Sequence, residues 1–257
     1  MKPCIIVIPA RWASERFPGK PLARIAGRSL LSRTVAAGRA AMDGGHVLVA
    51  TDDARIAAEA EAAGADRMMT SPDCANGTER VAEAVAGLGE APGIVVNLQG
   101  DAPLTPPWFI AALVKAMNAD PTIDVATPVL TATASQLARF RADRAAGRVG
   151  ATTAVTDSKG RALYFSKEVL PFGADETTPV LYHVGVYAYR PTALSRFAAL
   201  PPGRAERAEG LEQLRFLENG IGVCCIEVEA RGRDFWEVNS PGDIPLVEAI
   251  LAAEDRP

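Results

Sequence analysis

The alternation of short apolar runs with helical stretches constrains this chain more than any other feature. Cys4 to Ile8, His46 to Ala50 and Gly93 to Leu98 are brief and rich in Ile, Val or Leu, and a further short run spans Ala65 to Met69. Between them, apolar residues recur at helical spacing, as at Leu30, Leu31, Val35 and Ala36 within Arg28 to Met42. Gly44-Gly45 supplies a helix stop, and Thr51-Asp52-Asp53 an acidic N-cap, read as Asp52, for a helix through Glu61. Strand–helix repeats of this kind predict a parallel sheet with helices on both faces. Ile123 to Val129 extends the series. The expected class is α/β, a three-layer, doubly wound, mostly parallel sheet. With 257 residues the chain suits one domain, with a main part over 1–130 and a second over 131–257.

Composition removes several function classes. The net charge of -4 argues against general nucleic-acid affinity, so any anion binding comes from local basic clusters. No stretch of about 18 apolar residues exists, so no membrane partner is expected. No signal-peptide pattern opens the chain. Cys4, Cys74, Cys224 and Cys225 form no CxxC pair and read as reduced thiols of a cytoplasmic protein. Two histidines, His46 and His183, make a zinc site a poor fit, and His46 is read as structural.

The first strand breaks at Pro9 into Ala10-Arg11-Trp12-Ala13-Ser14-Glu15-Arg16-Phe17-Pro18-Gly19-Lys20-Pro21-Leu22. Arg11, Arg16 and Lys20 supply cations, Ser14 a hydroxyl, and Gly19 a place where backbone comes close to a ligand. These are the parts that hold a polyphosphate. In open α/β sheets ligands bind at this end of the strands. Charge alone leaves a solvated basic loop equally open. Neither a Walker pattern nor GxGxxG is present, which disfavours ATPase and dinucleotide readings.

Three further segments carry chemistry. Asn76-Gly77-Thr78-Glu79-Arg80 opens a helix, whose N-terminus suits anions and carbonyls, or is simply capped. Gln99-Gly100-Asp101-Ala102 ends the most apolar strand and puts a carboxylate at the ligand edge, where a turn residue is the plainer alternative. Asn239-Ser240-Pro241-Gly242-Asp243 reads as a capping box before the last helix. Elsewhere, Gln136 to Arg148 is a basic segment read as an interaction region or lid. Asp157-Ser158-Lys159-Gly160 marks a hairpin. Leu181 to Arg190 alternates as one strand with His183, Gly185, Tyr187 and Tyr189 on one face. Glu206 to Asn219 reads as one helix capped by Gly220.

The string P-A-R-x-x-S-x-R-x-P-G-K-P-L over Pro9 to Leu22 resembles the signature loop of sugar-nucleotide cytidylyltransferases, in the form of the branch that activates 3-deoxy-manno-octulosonate (Kdo) with CTP. Similar strings follow in order: N-G-T-E-R, Q-G-D, A-L-Y-F-S, H-x-G-x-Y-x-Y-R, E-x-L-E-Q-L-R and V-N-S-P-x-D. The resemblance implies a Rossmann-like nucleotide-diphospho-sugar transferase fold with a small β-rich subregion for dimerisation and sugar binding. It implies a CTP site formed by Ala10, Arg11, Ser14, Arg16, Lys20, Asn76, Gly77, Thr78, Arg80 and Gln99. It places the acid sugar against Gln99, His183, Tyr187, Glu212 and Gln213. Arg11, Lys20 and Asp101 become catalytic, with Asp101 and Asn239 as ligands to Mg2+, and a homodimer is expected. Four positions depart from the branch: Ala102 for glutamate, Thr153 for lysine, Lys167 for arginine and Asn239 for aspartate.

The expected reaction is in-line attack of an anomeric hydroxyl on the α-phosphorus of CTP, giving a CMP-sugar and pyrophosphate. Two alternatives stand beside it. One is a nucleotidyltransferase for a phosphocholine-like or sugar-phosphate acceptor. The other is a non-catalytic CTP-binding relative.

Overall fold

The computed structural model describes residues 3–13, 17–42, 45–175, 178–233 and 236–254. The chain forms two compact units, residues 1–111 with 230–257 and residues 112–229. The division differs from the expected break at 130, because the C-terminal segment folds back with the N-terminal one.

The first unit is built on four parallel strands in the order β5, β4, β1, β6: β1 (Cys4–Ala10), β4 (Val47–Thr51), β5 (Asp66–Met69) and β6 (Ile94–Leu98). Ile6, Val7, Ile8, Val49, Val95 and Val96 are fully buried, as continuous apolar runs in a doubly covered sheet require. A two-stranded ribbon, β2 (Arg24–Ile25) with β3 (Arg28–Ser29), precedes helix α1 (Leu30–Ala41). Helices α2 (Ala54–Ala62) and α3 (Gly77–Ala86) follow β4 and β5. The cap of α2 is Asp53, which accepts from the Arg55 backbone N–H at 2.8 Å. Asp52, read as the cap, instead pairs with Arg80 at 3.1 Å. Helix α4 (Pro107–Ala119) carries the chain onward.

In the second unit β7 (Val125–Thr131) pairs parallel with β12 (Val223–Glu227) and antiparallel with β10 (Leu181–His183) and β11 (Val186–Tyr189). β10 also pairs with β8 (Thr153–Thr156), which forms a hairpin with β9 (Ala162–Ser166). The hairpin turn is the expected one: Asp157 Oδ1 accepts from the N–H groups of Lys159 and Arg161, each at 2.9 Å, and Gly160 takes φ 77°. The α/β class and the β-rich subregion are therefore as expected.

Three elements differ from the sequence reading. The basic segment after β7 is helix α5 (Ala134–Ala145), capped by Thr133 and Gln136 with Phe140 buried. Arg144 pairs with Glu168, and Arg148 with Asp143 at 2.7 Å, so both cations are used inside the unit. The expected strand from Leu181 to Arg190 is two strands, because the Val186 N–H turns back to the Val184 carbonyl at 2.7 Å. After α6 (Pro191–Ala199), the expected single helix is also two, α7 (Arg204–Glu209) and α8 (Leu214–Glu218). Gly210 adopts φ 62° and ends α7 in a left-handed cap. Glu212 and Gln213 consequently lie in a turn between helices.

The chain closes with α9 (Ile244–Glu254), introduced by the expected capping box. Asp243 Oδ2 accepts from the backbone N–H groups of Asn239 and Ser240 at 3.0 and 2.7 Å and from the Ser240 hydroxyl at 3.0 Å. Ile25, Leu30, Leu104, Val238 and Val247 form a buried cluster, with Phe17 and Ile244 against it. This cluster ties the C-terminal segment to the loop that follows β1.

Candidate active site

The loop after β1 returns on itself around an indole. The Gly19 N–H donates to the Trp12 carbonyl at 3.0 Å, and Gly19 has φ 70°. A Cβ at Gly19 would lie 2.8 Å from the Trp12 ring, so conformation and space both require glycine. The Arg55 guanidinium lies 3.3 Å from the ring centroid and is itself held by Asp53. This fold of the loop delivers Lys20 to β6. The Lys20 ammonium donates to Asp101 Oδ2 at 2.7 Å and to the Val238 carbonyl at 3.0 Å. Val238 in turn donates its N–H to the Asp101 carbonyl at 2.9 Å. Three segments distant in sequence thus meet at Asp101.

Gly100 permits that meeting. A Cβ there would lie 2.7 Å from the Pro9 carbonyl, so only glycine lets the β6 exit pass so close to the end of β1. Gly77 serves the same purpose at the start of α3, where a Cβ would lie 3.0 Å from Gln99 Oε1 and 3.3 Å from Pro9. Gln99 is positioned by its own amide, which donates to Asn97 Oδ1 at 3.1 Å.

Other expected nucleotide residues have internal work. Asn76 caps α3 by accepting from the Glu79 N–H at 2.8 Å. Thr78 is buried, and its hydroxyl accepts from Asn97. Arg80 is buried too: it donates to Thr70 at 2.5 Å and to Asp52. Ala10 is buried at the end of β1, and Arg11 is exposed beside it. Ser14 and Arg16 lie outside the described residues. Asp52 Oδ1 is buried without a hydrogen-bond partner among the described residues, an acceptor that a bound donor group would satisfy.

A carboxylate that the sequence reading passed over stands beside this group. Glu237 precedes the pinned Val238 and is half-buried. Burial first, and then the negative charge of Asp101, hold its carboxyl above the usual carboxylate range, with Lys20 pulling the other way. Its only sequence signal is an acid two positions before Asn239.

The second unit brings His183 and Tyr187 together. Their ring centroids lie 5.2 Å apart, with Phe165 5.4 Å from His183 on an edge-to-face contact. Thr127 was not anticipated, yet it sets the state of the imidazole. Its hydroxyl donates to the Val186 carbonyl at 2.8 Å and so accepts from His183 Nε2–H, also at 2.8 Å. Desolvation pushes the His183 pKa down to about 3. The ring is neutral, with Nδ1 left as an acceptor.

The depressed pKa makes a stability prediction. Unfolded His183 titrates near 6.5, so the unfolded chain binds the extra proton first and stability falls as pH drops below that value. Between about pH 7 and about pH 5, urea unfolding of the wild type is expected to lose about 2 kcal/mol more than that of His183→Gln. Equal losses would show that the ring is protonated in the fold.

Gln213 is 3% exposed, and its Nε2 has no partner among the described residues. Glu212 precedes it in the same turn. Ser166 and Lys167 are held by an unanticipated Glu209, through the Ser166 hydroxyl at 2.7 Å and the Lys167 N–H at 2.9 Å. Of the four departures, Thr153 is structural: its hydroxyl donates to the Glu168 carbonyl at 2.7 Å and accepts from the Leu170 N–H at 3.3 Å. Ala102 is buried in the turn after Asp101.

A family model described as cytidylyltransferase matches residues 5–228. The chain belongs to the cytidylyltransferase family. It is 46% identical, over 97% of both chains, to a protein of Maricaulis maris named 3-deoxy-manno-octulosonate cytidylyltransferase. A protein of the same name from an Anaeromyxobacter species is 43% identical over the full length of both. Among solved structures, CMP:2-keto-3-deoxy-manno-octonic acid synthetase complexed with CTP superposes with a TM-score of 0.86 at 33% identity, covering 98% of this chain and 99% of that one. In this cytidylyltransferase the Lys20–Asp101–Val238 group and the His183–Tyr187 group are the two sets of residues to be explained. No described helix is long and apolar enough to cross a membrane.

Proposed function

We propose that this cytidylyltransferase transfers CMP from CTP to the anomeric hydroxyl of Kdo, or of a close 2-keto-3-deoxy acid sugar, in the synthesis of a surface glycan such as lipopolysaccharide. The observation that carries the proposal is the end-to-end likeness, at 46% identity, to a relative of that name. The local chemistry agrees with it. The first unit offers a phosphate-type loop with Lys20 at its end. The second offers neutral, apolar-backed polar groups of the kind that recognise a sugar: His183 Nδ1, Tyr187 and the Gln213 amide, whose Nε2 has no partner among the described residues.

Magnesium fits the first group. Asp101 and Asn239 provide hard oxygen donors, and the Lys20 ammonium seated on Asp101 supports a place for positive charge there. Bound there, magnesium would supply charge neutralisation at the phosphates. Lys20, with Arg11 and Arg16, binds the triphosphate and stabilises charge as pyrophosphate departs. Gln99, Glu212 and Gln213 orient the sugar hydroxyls, while His183 and Tyr187 fix the ring. The anomeric oxygen forms a bond to the α-phosphorus as the bond from that phosphorus to pyrophosphate breaks. The hydroxyl proton passes to solvent. No protein nucleophile is required.

The four cysteines are free, which agrees with a reducing cytoplasmic setting. Phe172 at 99% exposure and Leu163 at 61% are apolar residues in the second unit suited to a homodimer contact, which light scattering would test. The test of function is pyrophosphate release from CTP and magnesium, with and without Kdo. Release that depends on Kdo is the expected result. Release only with an amino- or carboxyl-modified relative would make Lys167 and its neighbours determinants of a different sugar. CTP binding with no release for any acid sugar would refute catalysis.

A further inference from the structure

Lys20 reaches Asp101 because the loop that carries it turns at Gly19, and that corner is held by residues outside the loop. The Trp12 indole has two close neighbours. One is Gly19, so near that a Cβ there would lie 2.8 Å from the ring. The other is the Arg55 guanidinium, 3.3 Å from the ring centroid. Arg55 is anchored in turn: its Nε donates to Asp53 Oδ1 at 3.0 Å, and a terminal N–H donates to Oδ2 at 2.6 Å. Asp53 is fixed as the cap of α2, and its own N–H donates to the Thr51 hydroxyl at 3.2 Å, at the end of β4. A guanidinium with its fork on a carboxylate and its carbon over an indole is a clamp, not a solvated cation. Lys20 stands next to the clamped corner, where its N–H donates to the Phe17 carbonyl at 3.1 Å and the Leu22 N–H to the Gly19 carbonyl at 2.9 Å.

From this geometry we infer that Arg55 and Trp12 are positioning residues for CTP: anchored on Asp53, their stack holds Gly19 so that the Lys20 ammonium meets the triphosphate. The inference rests on the reading of Lys20 as a triphosphate ligand, given above. Both residues act through Lys20, and neither contacts the nucleotide. Loosening the clamp therefore weakens the hold on the triphosphate tail and spares the rest of the nucleotide.

The test is titration calorimetry of the full-length protein with CTP and with CMP, for wild type, K20A, R55A, R55K, W12F and W12L. R55A is expected to weaken CTP about fivefold and to leave CMP within about twofold of wild type. R55K keeps the charge but lacks the planar fork, so the clamp predicts the same weakening and a remote field effect predicts none. W12F keeps an aromatic face and is expected to stay within about twofold of wild type, whereas W12L fills space without that face and is expected to match R55A. Loss of CTP affinity in K20A, with wild-type CTP affinity in R55A, R55K or W12L, would overturn the clamp while leaving the reading of Lys20 intact. Equal weakening of CTP and CMP in R55A would do the same, since it would mark a general structural role. Unchanged CTP affinity in K20A would overturn the reading of Lys20 itself, and the inference with it.

Discussion

Asp101→Ala is expected to lower the rate of pyrophosphate release by about 10³-fold while the protein remains folded. Asp101 stands at the exit of β6 and collects three contributions: the Lys20 ammonium on its side chain, the Val238 N–H on its carbonyl, and the nearby Glu237 charge. The substitution removes the two of these that depend on the carboxylate, the Lys20 pair and the repulsion with Glu237. The backbone bond to Val238 and the buried cluster of Ile25, Leu30, Leu104 and Val247 survive. Lys20 keeps the Val238 carbonyl, and at 17% side-chain exposure it retains some access to water, so the fold loses little. Steady-state turnover with circular dichroism on the same samples makes the check. Near-normal turnover in a folded Asp101→Ala protein would move the catalytic cation elsewhere.

The largest expected effect on stability lies in the second unit. Arg215 is 2% exposed and Glu206 8%, and they form a bidentate pair with bonds of 2.8 and 2.7 Å. Arg215 also donates to the Leu200 carbonyl and covers the Phe197 ring at 4.1 Å. Replacing Arg215 with methionine leaves Glu206 buried without its partner, at a cost of about 3–5 kcal/mol. The joint change Arg215→Met with Glu206→Gln removes the uncompensated charge and is expected to recover part of that loss. Urea unfolding of the two variants checks it, and a loss below about 1 kcal/mol in the single variant would show that water reaches the pair. The pair joins α7 to α8 across the turn at Gly210, so it also holds Glu212 and Gln213 in place. Survivors of the single substitution should show a raised KM for the sugar and an unchanged KM for CTP.

Features governed by near neighbours were readable from the chain itself. Continuous apolar runs identify β1, β4 and β6, because a parallel strand covered on both faces has no polar side. The capping box at Ser240 and the hairpin at Asp157 to Gly160 form from residues within a few positions of each other. The cationic loop and the aspartate ending a central strand were also legible, since each is one short string with one chemical purpose.

What could not be read depends on contacts that close over long stretches of chain. Lys20 meets Asp101 across 81 positions and Val238 across 218. No periodicity signals that the C-terminal segment returns to this loop, so Glu237 was passed over and Asn239 alone was considered. Arg80 looked like a nucleotide contact, but Asp52 and Thr70 claim its guanidinium because the end of β4 and the start of α3 come together. The helix from Glu206 divides at Gly210, where the buried Arg215–Glu206 pair and a left-handed glycine override a continuous helical pattern. Local propensity thus determined the strands, caps and loop chemistry of this protein. Tertiary packing decided which charges share the site, because burial and electrostatic partnership belong to the folded arrangement and not to any one segment.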